Sequence, residues 1–182
     1  MITLTKKERE IMLILFKDFT SFYNANSMSK ILNISHVGAQ KIFKRLLQEN
    51  IVIGKTIGKS IVYKLNFNEN YVNQVIAFLL ADEANAFKRW KEEFKELFKE
   101  KRIIMFFGSA SKDYAHAHDI DLMIVMERKD VKEVNKIIKK KEEILPKKLH
   151  AIKLTHQDLL DNLKKRNKAV IDIVKNAIIL YG

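Results

Sequence analysis

Residues 106–125 read FFGSASKDYAHAHDIDLMIV, and their pattern indicates the fold of the C-terminal half. It continues an apolar run, Ile103–Phe107, of the kind that forms a strand buried on both faces. Gly108-Ser109 ends that strand and a polar loop follows. The next apolar segment, Asp119–Met126, is predicted to be a second strand.

Asp119 and Asp121 form the first candidate site. Residues i and i+2 of a strand share a face, so both carboxylates project together while Ile120 and Leu122 enter the core. Two neighbouring carboxylates suit a hard divalent cation with oxygen ligands, most simply Mg²⁺. Taken alone, the pair is also typical of two solvated acids at the start of an edge strand.

The Gly-Ser turn, a gap of nine residues and the Asp-x-Asp pair, with an apolar strand on each side, are similar to a known signature. They resemble the DNA polymerase beta-type nucleotidyltransferase superfamily, and most closely its minimal archaeal and bacterial members. The resemblance covers roughly residues 101–182. It implies a mixed sheet flanked by helices, a nucleoside triphosphate substrate, and Mg²⁺ (or Mn²⁺) held by Asp119 and Asp121.

The same resemblance assigns roles to the residues around the turn. Gly108 lets the backbone approach the triphosphate, and the amides and hydroxyl around Ser109 donate to phosphate oxygens. Lys112 supplies a positive charge for the phosphates. His116 and His118 precede the carboxylate pair and could contact the ligand. We expect them to be loop residues without a ligand contact.

Polymerising and transferring members of the superfamily use a third carboxylate on a later strand, and here His150 stands at that place. A histidine can act as a base or a metal ligand, but it equally fits a domain that binds nucleotide without turnover. The sequence therefore leaves two functions open. One is a metal-dependent nucleotidyltransferase with Asp119, Asp121 and His150 as its catalytic residues and an unknown acceptor. The other is a non-catalytic DNA-binding transcriptional regulator or antitoxin-like protein. Its degenerate domain would bind nucleotide or a partner, because the minimal members often accompany small helical toxin-like proteins.

The rest of this half predicts an α/β arrangement. A helix over Asp130–Leu145 ends before Pro146, and Leu149–Leu154 is a third strand. Thr155, with Asp158 at the capping-box position, begins another helix. A last helix, from Lys168 to about Asn176, and a terminal strand, Ile178–Tyr181, complete the chain.

The N-terminal residues 1–67 predict a winged helix, a fold of three helices followed by a β-hairpin. The predicted elements are a helix over Lys6–Phe19 capped by Thr5 and Glu8, a short helix over Met28–Leu32, a helix over His36–Asn50 capped by Ser35, and strands over Ile51–Ile57 and Ser60–Asn66 joined by Gly58-Lys59. The fold class is thus α/β (α+β): an N-terminal winged helix plus a C-terminal nucleotidyltransferase-type mixed sheet.

The helix that begins after Ser35 is the predicted recognition helix for double-stranded DNA. Its first residues would meet base edges, with Gln40 able to read adenine, and later basic residues would hold phosphates. The residues assigned to DNA contact are Ser35, His36, Gln40, Lys41, Lys44 and Arg45 on the helix, and Lys55 and Lys59 on the hairpin. The alternative is a solvated basic face on a winged helix used for protein contacts or homodimerisation.

Residues 68–100 are predicted to form a helical linker in two pieces between the two domains, 1–67 and 101–182. Apolar residues recur in its second piece at helical spacing: Phe87, Trp90, Phe94, Leu97 and Phe98. Such a stripe favours packing against a core over an aromatic cofactor cage.

Composition narrows the class of protein further. The net charge is +12, and residues 1–67 are the more basic part per residue, which favours nucleic acid as a partner. A lysine-rich, heat-adapted proteome would give the same balance. There is no cysteine, no apolar segment long enough to cross a bilayer and no signal-peptide pattern, so we expect a cytoplasmic location.

Overall fold

The computed structural model describes residues 3–182. The chain divides into two compact units, Met1–Leu79 and Leu80–Gly182. In chain order the first elements are α1 (Lys6–Lys17), α2 (Ala25–Ile31), α3 (His36–Gln48), β1 (Val52–Ile57), β2 (Ser60–Leu65) and α4 (Asn70–Asn85). They are followed by α5 (Lys88–Glu93), β3 (Ile103–Phe107), β4 (Asp119–Met126), α6 (Val131–Ile144), β5 (Lys148–Thr155), α7 (His156–Lys164), α8 (Lys168–Asn176) and β6 (Ile178–Tyr181).

Local capping explains where the first two helices begin. The predicted capping box of Thr5 and Glu8 is present at α1, which ends at Lys17 rather than Phe19. The prediction for α2 was wrong at its start, because the segment assigned to a loop is already helical from Ala25. Asn24 and Ser27 cap each other's backbone N–H groups, a reciprocal box built from residues that also favour loops.

Helices α2 and α3 both end on an asparagine in the left-handed conformation, Asn33 with φ 50° and Asn50 with φ 53°. The next amide then turns back to the helix: Ile34 donates to the Ser29 carbonyl at 3.0 Å and Ile51 to the Leu46 carbonyl at 2.9 Å. This is a Schellman end, which asparagine tolerates better than most residues do. It stops α3 at Gln48, before the predicted Asn50.

The hairpin of the first unit pairs β1 with β2 antiparallel, and Gly58, with φ +58°, occupies its turn. Tyr23 adds a single bridge to Tyr63, and the Tyr63 ring stacks on Phe43 of α3 with centroids 3.9 Å apart. Three helices followed by this hairpin make the first unit a winged helix, as predicted.

The second unit contains a four-stranded sheet in the order β5-β4-β3-β6. Only β4 and β5 are parallel, so the sheet is mixed, as predicted. Its two faces bury different partners. Ile120, Leu122 and Ile124 lie in a core with the aromatic stripe, which is packed as expected. On the other face, Met105 and Met123 pack with Val170 and Ala177 from the region of α8.

The predicted capping box of Thr155 and Asp158 is also present, at the start of α7. Strand β5 extends one residue beyond the prediction at each end, and α8 and β6 have the predicted bounds. No helix among residues 3–182 is both long enough and apolar enough to span a bilayer.

Candidate functional site

The carboxylate pair lies at the start of β4, beside the neighbouring strand β5. The Asp119 and Asp121 side chains are 39% and 24% exposed, on the same face of the strand. His150 is the register partner of Asp121 on the parallel strand β5. Its Nδ1 atom lies 3.6 Å from Asp121 Oδ1 and 3.7 Å from Asp119 Oδ2, so the imidazole faces both carboxylates.

Burial raises the pKa of the Asp121 carboxyl above its usual range. The charge of Asp119 raises this pKa as well, while His150 acts in the opposite direction. Asp121 is therefore a partly desolvated carboxylate beside a like charge. A bound cation would relieve both costs, which is why such pairs suit metal binding.

Gly108 connects β3 to the site, and its conformation is one that glycine adopts and other residues avoid (φ 77°, ψ −164°). A Cβ atom at this position would lie 2.0 Å from Asp121 Oδ2. The preceding residue, Phe107, is the register partner of Asp121 across β3 and β4. The strand pairing thus presses the turn backbone directly against the carboxylate, and only glycine leaves room for it.

The residues after Gly108 form a short 3₁₀ turn, Ser109–Ser111. The Ser111 hydroxyl donates to the Gly108 carbonyl at 2.8 Å and the Asp113 amide donates to the Ser109 carbonyl at 2.9 Å. Ser109 and Lys112 are exposed beside this turn. Their side chains are therefore accessible to an anion bound there.

Lys147 anchors the loop that leads to the carboxylate pair, a role that sequence reasoning missed. Its ammonium donates to the carbonyls of Tyr114 and Ala117 and lies 4.3 Å from the centroid of the Tyr114 ring. Within the loop, His116 Nδ1 lies 2.7 Å from Asp113 Oδ2, and His118 is exposed. No sequence pattern links Lys147 to this loop, because the contacts join residues about thirty positions apart.

The donor set of the carboxylate pair is compatible with a magnesium ion that takes its other ligands from outside the protein. Within residues 3–182, no three His, Asp or Glu side chains form a cluster arranged to hold a metal. Mg²⁺ commonly uses one or two carboxylates and completes its coordination with water and substrate phosphates. Asp119 and Asp121 provide such a pair.

A cavity of about 480 Å³ adjoins the turn. One wall comes from the segment between Phe107 and Lys112, and the other from Asp172, Ile173 and Asn176 of α8. Sequence analysis did not single out Asp172 or Asn176. The available signal was their spacing, since polar residues at i and i+4 share one face of an otherwise apolar helix.

On the winged helix, the Ser35 hydroxyl caps α3 by accepting from the Gly38 amide at 3.0 Å. The side chains of His36, Gln40, Lys41 and Lys44 on α3 and of Lys55 and Lys59 on the hairpin are exposed. The structure brings them to the surface of one unit, as an interface with DNA requires.

Arg45, whose side chain is 41% exposed, has a structural partner that the sequence analysis did not include. Its guanidinium lies 3.1 Å from Glu8, whose side chain is only 2% exposed, and it also donates to the Thr3 carbonyl at 2.7 Å. A buried carboxylate needs a partner, and Arg45 supplies it. Arg45 thus joins α3 to the start of the chain.

A glycine turn against an Asp-x-Asp strand, in a mixed sheet that follows a winged helix, defines a two-unit protein with a nucleotidyltransferase-type site. The nucleotidyltransferase domain family matches residues 87–180, which is more than half of the chain. The chain belongs to this family. No curated protein sequence matches it.

Solved structures with partial likeness include two bacterial proteins. One is the adhesin competence repressor AdcR from Streptococcus pyogenes, with 13% identity and a TM-score of 0.42, covering 78% of this chain and 80% of that one. Another is wild-type ZitR from Lactococcus lactis in complex with DNA, with 14% identity and a TM-score of 0.38, covering 51% of this chain and 64% of that one.

Proposed function

We propose that this protein transfers a nucleoside monophosphate from a nucleoside triphosphate to an acceptor in a metal-dependent reaction. The observation that carries the proposal is the fit of Gly108 against Asp121, beside Asp119 and His150. A glycine with no room for a Cβ atom, a carboxylate pair of which Asp121 is partly buried, and an exposed serine lie together at the end of β3 and the start of β4. The acceptor is a hydroxyl-bearing molecule.

In this mechanism Asp119 and Asp121 hold Mg²⁺ (or Mn²⁺). When bound, the ion neutralises triphosphate charge and the charge that develops during transfer. The Ser109 hydroxyl and the amides of the turn donate to phosphate oxygens, and Lys112 adds positive charge. His150 takes the proton of the acceptor hydroxyl as its oxygen bonds to the α-phosphorus, and the bond to the β-phosphate breaks to release pyrophosphate.

Calorimetric titration with ATP, GTP, CTP and UTP, with and without Mg²⁺, tests the site. Mg²⁺ should strengthen binding, and Asp121→Asn should remove most of that gain because a ligand and a charge are lost. Asp82→Asn, a change of an exposed aspartate on α4, is the matched control and should behave as wild type. Equal affinities of wild type and Asp121→Asn would exclude the metal assignment.

A second function is favoured by one specific observation, the presence of His150 where active relatives carry an acid. In this case the protein is a DNA-binding transcriptional regulator or antitoxin-like protein. Its second unit binds nucleotide, or a partner such as a small helical toxin-like protein, without transfer. Incubation with labelled nucleoside triphosphates and candidate acceptors separates the two functions. Transfer by wild type that His150→Ala abolishes supports the enzyme, whereas transfer only by His150→Asp supports the regulator.

We also propose that the winged helix binds double-stranded DNA through α3 and the hairpin. The exposed lysines and Gln40 support this, and winged helices often read paired half-sites as homodimers. Replacing Lys41 and Lys44 with Gln should weaken binding to every duplex and reduce the salt slope by roughly 1 per lost phosphate contact. Gln40→Ala should change sequence preference instead. Both proposed functions place the protein in the cytoplasm, where DNA and nucleotides are available.

The matched control for the lysines is Lys6→Gln, an exposed lysine on α1. It should leave the salt slope unchanged, because it lies outside the proposed contact surface. Salt-insensitive or absent binding of the full chain to any duplex would show that the basic face of α3 is merely solvated.

A further inference from the structure

We propose that the cavity between the Gly-Ser turn and α8 holds the nucleoside part of the triphosphate. In this arrangement the Asp172 carboxylate accepts hydrogen bonds from donor groups of the nucleoside. The inference rests on the proposed function, since it assigns a subsite within the same site. It adds a recognition residue that lies outside the Gly-Ser and Asp-x-Asp signature.

The cavity is built on packed elements rather than on loops alone. Strand β3 ends at Phe107 in one wall, and α8 forms the other. Val170 and Ala177, at the two ends of α8, pack in the core with Met105 of β3. This packing fixes α8 relative to the turn. The volume of about 480 Å³ falls within the roughly 300–1,000 Å³ that small-molecule sites occupy.

The two walls of the cavity carry opposite charges, and these charges favour one orientation of a bound nucleotide. Lys112 and the amides of the turn provide positive charge and donors on one wall. On the other wall, the exposed Asp172 carboxylate makes no hydrogen bond or ion pair with any residue between 3 and 182. A carboxylate repels phosphates and only accepts hydrogen bonds. The triphosphate therefore belongs at the turn, and the nucleoside, with its hydroxyl and amino donors, belongs at α8.

Neighbouring side chains complete the subsite. Asn176 lies one helical turn beyond Asp172, and its Nδ2 donates to the Asp172 carbonyl at 2.8 Å. That bond fixes the amide group of Asn176 against the last turn of α8, and both residues line the cavity. Phe107 and Ile173 add apolar surface against which a sugar or a base can pack. The cavity thus combines a few polar groups with apolar walls, as ligand sites commonly do.

Asp172→Ala separates this proposal from a purely electrostatic role. Titrations of the full chain with Mg²⁺–ATP and with Mg²⁺–tripolyphosphate compare a ligand that has the nucleoside with one that lacks it. The variant should bind ATP about 10-fold more weakly, the effect of losing a hydrogen bond to a charged group. It should bind tripolyphosphate no more weakly than wild type, since a negative charge has been removed. Asp82→Ala is the matched control and should change neither affinity.

The substitution is expected to weaken the binding of ATP but not the binding of tripolyphosphate. If Asp172→Ala leaves ATP affinity unchanged, or strengthens the binding of both ligands, the carboxylate does not contact the nucleoside and the inference is wrong. If wild type binds neither ligand with Mg²⁺, the proposed function fails together with it. The subsite is supported if Asp172→Ala weakens the binding of ATP but not that of tripolyphosphate, and Asp82→Ala weakens neither.

A further titration identifies the donor group. Wild type and Asp172→Ala are compared with 2′,3′-dideoxy-ATP, which lacks the ribose hydroxyls. A loss that disappears with this analogue assigns the hydrogen bond to the ribose. A loss as large as that with ATP assigns it to the base, and GTP, CTP and UTP then show which base is preferred.

Discussion

The carboxylate site and the α3 surface are both built from polar side chains, but they are held in different ways. At the site, Phe107, Asp121 and His150 are register partners on three adjacent strands, so none of them can move alone. On α3, exposed residues such as Gln40 and Lys44 project from a capped helix, each independently of the others. The comparison predicts that changes at the site alter stability as well as function. Changes on the α3 surface should affect binding alone.

Gly108→Ala should produce the largest combined effect. Its φ and ψ lie in a region that only glycine adopts readily, which costs about 1–3 kcal/mol for alanine, and the new Cβ would lie 2.0 Å from Asp121 Oδ2. We expect a destabilisation of about 3 kcal/mol or more and loss of Mg²⁺-dependent nucleotide binding. Denaturation followed by the fluorescence of Trp90, the single tryptophan and a buried one, measures the first. Nucleotide titration measures the second.

Gly58→Ala is the matched control on the hairpin. Gly58 also has a positive φ, of +58°, but a Cβ atom there would meet nothing within 4 Å. Its cost should be only about 1 kcal/mol, and nucleotide binding should be unaffected. Equal effects of the two substitutions would mean that the backbone conformation alone matters, and that the contact between Gly108 and Asp121 does not.

Features that depend on neighbouring residues were predicted from the sequence, whereas features that depend on distant contacts were missed. The strands on either side of Gly108-Ser109 and the caps at Thr5 and Thr155 depend on neighbouring residues, and the structure has them where the sequence placed them. The family resemblance placed His150 at the position of a third carboxylate on a later strand, but the register that sets it opposite Asp121 was not predicted.

Three features could not be predicted because they depend on contacts between distant parts of the chain. Lys147 reaches back to the carbonyls of the loop before Asp119, and Asp172 reaches the cavity only because α8 packs on the sheet. The pair of Arg45 with Glu8 was missed because helical periodicity does not reveal that a buried Glu8 needs a partner. Long side chains can bend away from the face on which their backbone lies.

Arg45 is an exception on α3. Unlike Gln40 and Lys44, it is fixed by contacts with another segment of the chain, as the residues of the carboxylate site are. Arg45→Ala should destabilise the winged helix by about 2 kcal/mol, since it leaves the Glu8 carboxylate, 2% exposed, without its cation. Lys44→Ala, one residue away and exposed, should change stability by less than about 0.5 kcal/mol while it weakens DNA binding. Thermal denaturation and duplex titrations of both variants provide the test. Weaker DNA binding by Arg45→Ala at unchanged stability would instead show that Arg45 contacts DNA and that its pair with Glu8 contributes little to stability.

The smallest effect that we expect is a gain of stability at the site itself. Burial raises the pKa of Asp121, so the folded chain holds this proton more tightly than the unfolded chain does. The stabilisation that this provides is complete below the unfolded-state pKa of about 3.9 and is lost as the pH rises through the higher folded-state value. At neutral pH, the ionised Asp121 side chain therefore lowers the free energy of unfolding, and Asp121→Asn should remove this destabilisation. Because solvent still reaches both carboxylates, the gain should be less than about 1 kcal/mol without metal. It should shrink as the pH falls toward 4, and Asp82→Asn should show neither the gain nor the trend. A variant no more stable than wild type at pH 7 would mean that His150 already offsets the cost, and that the site is not strained in the absence of a cation.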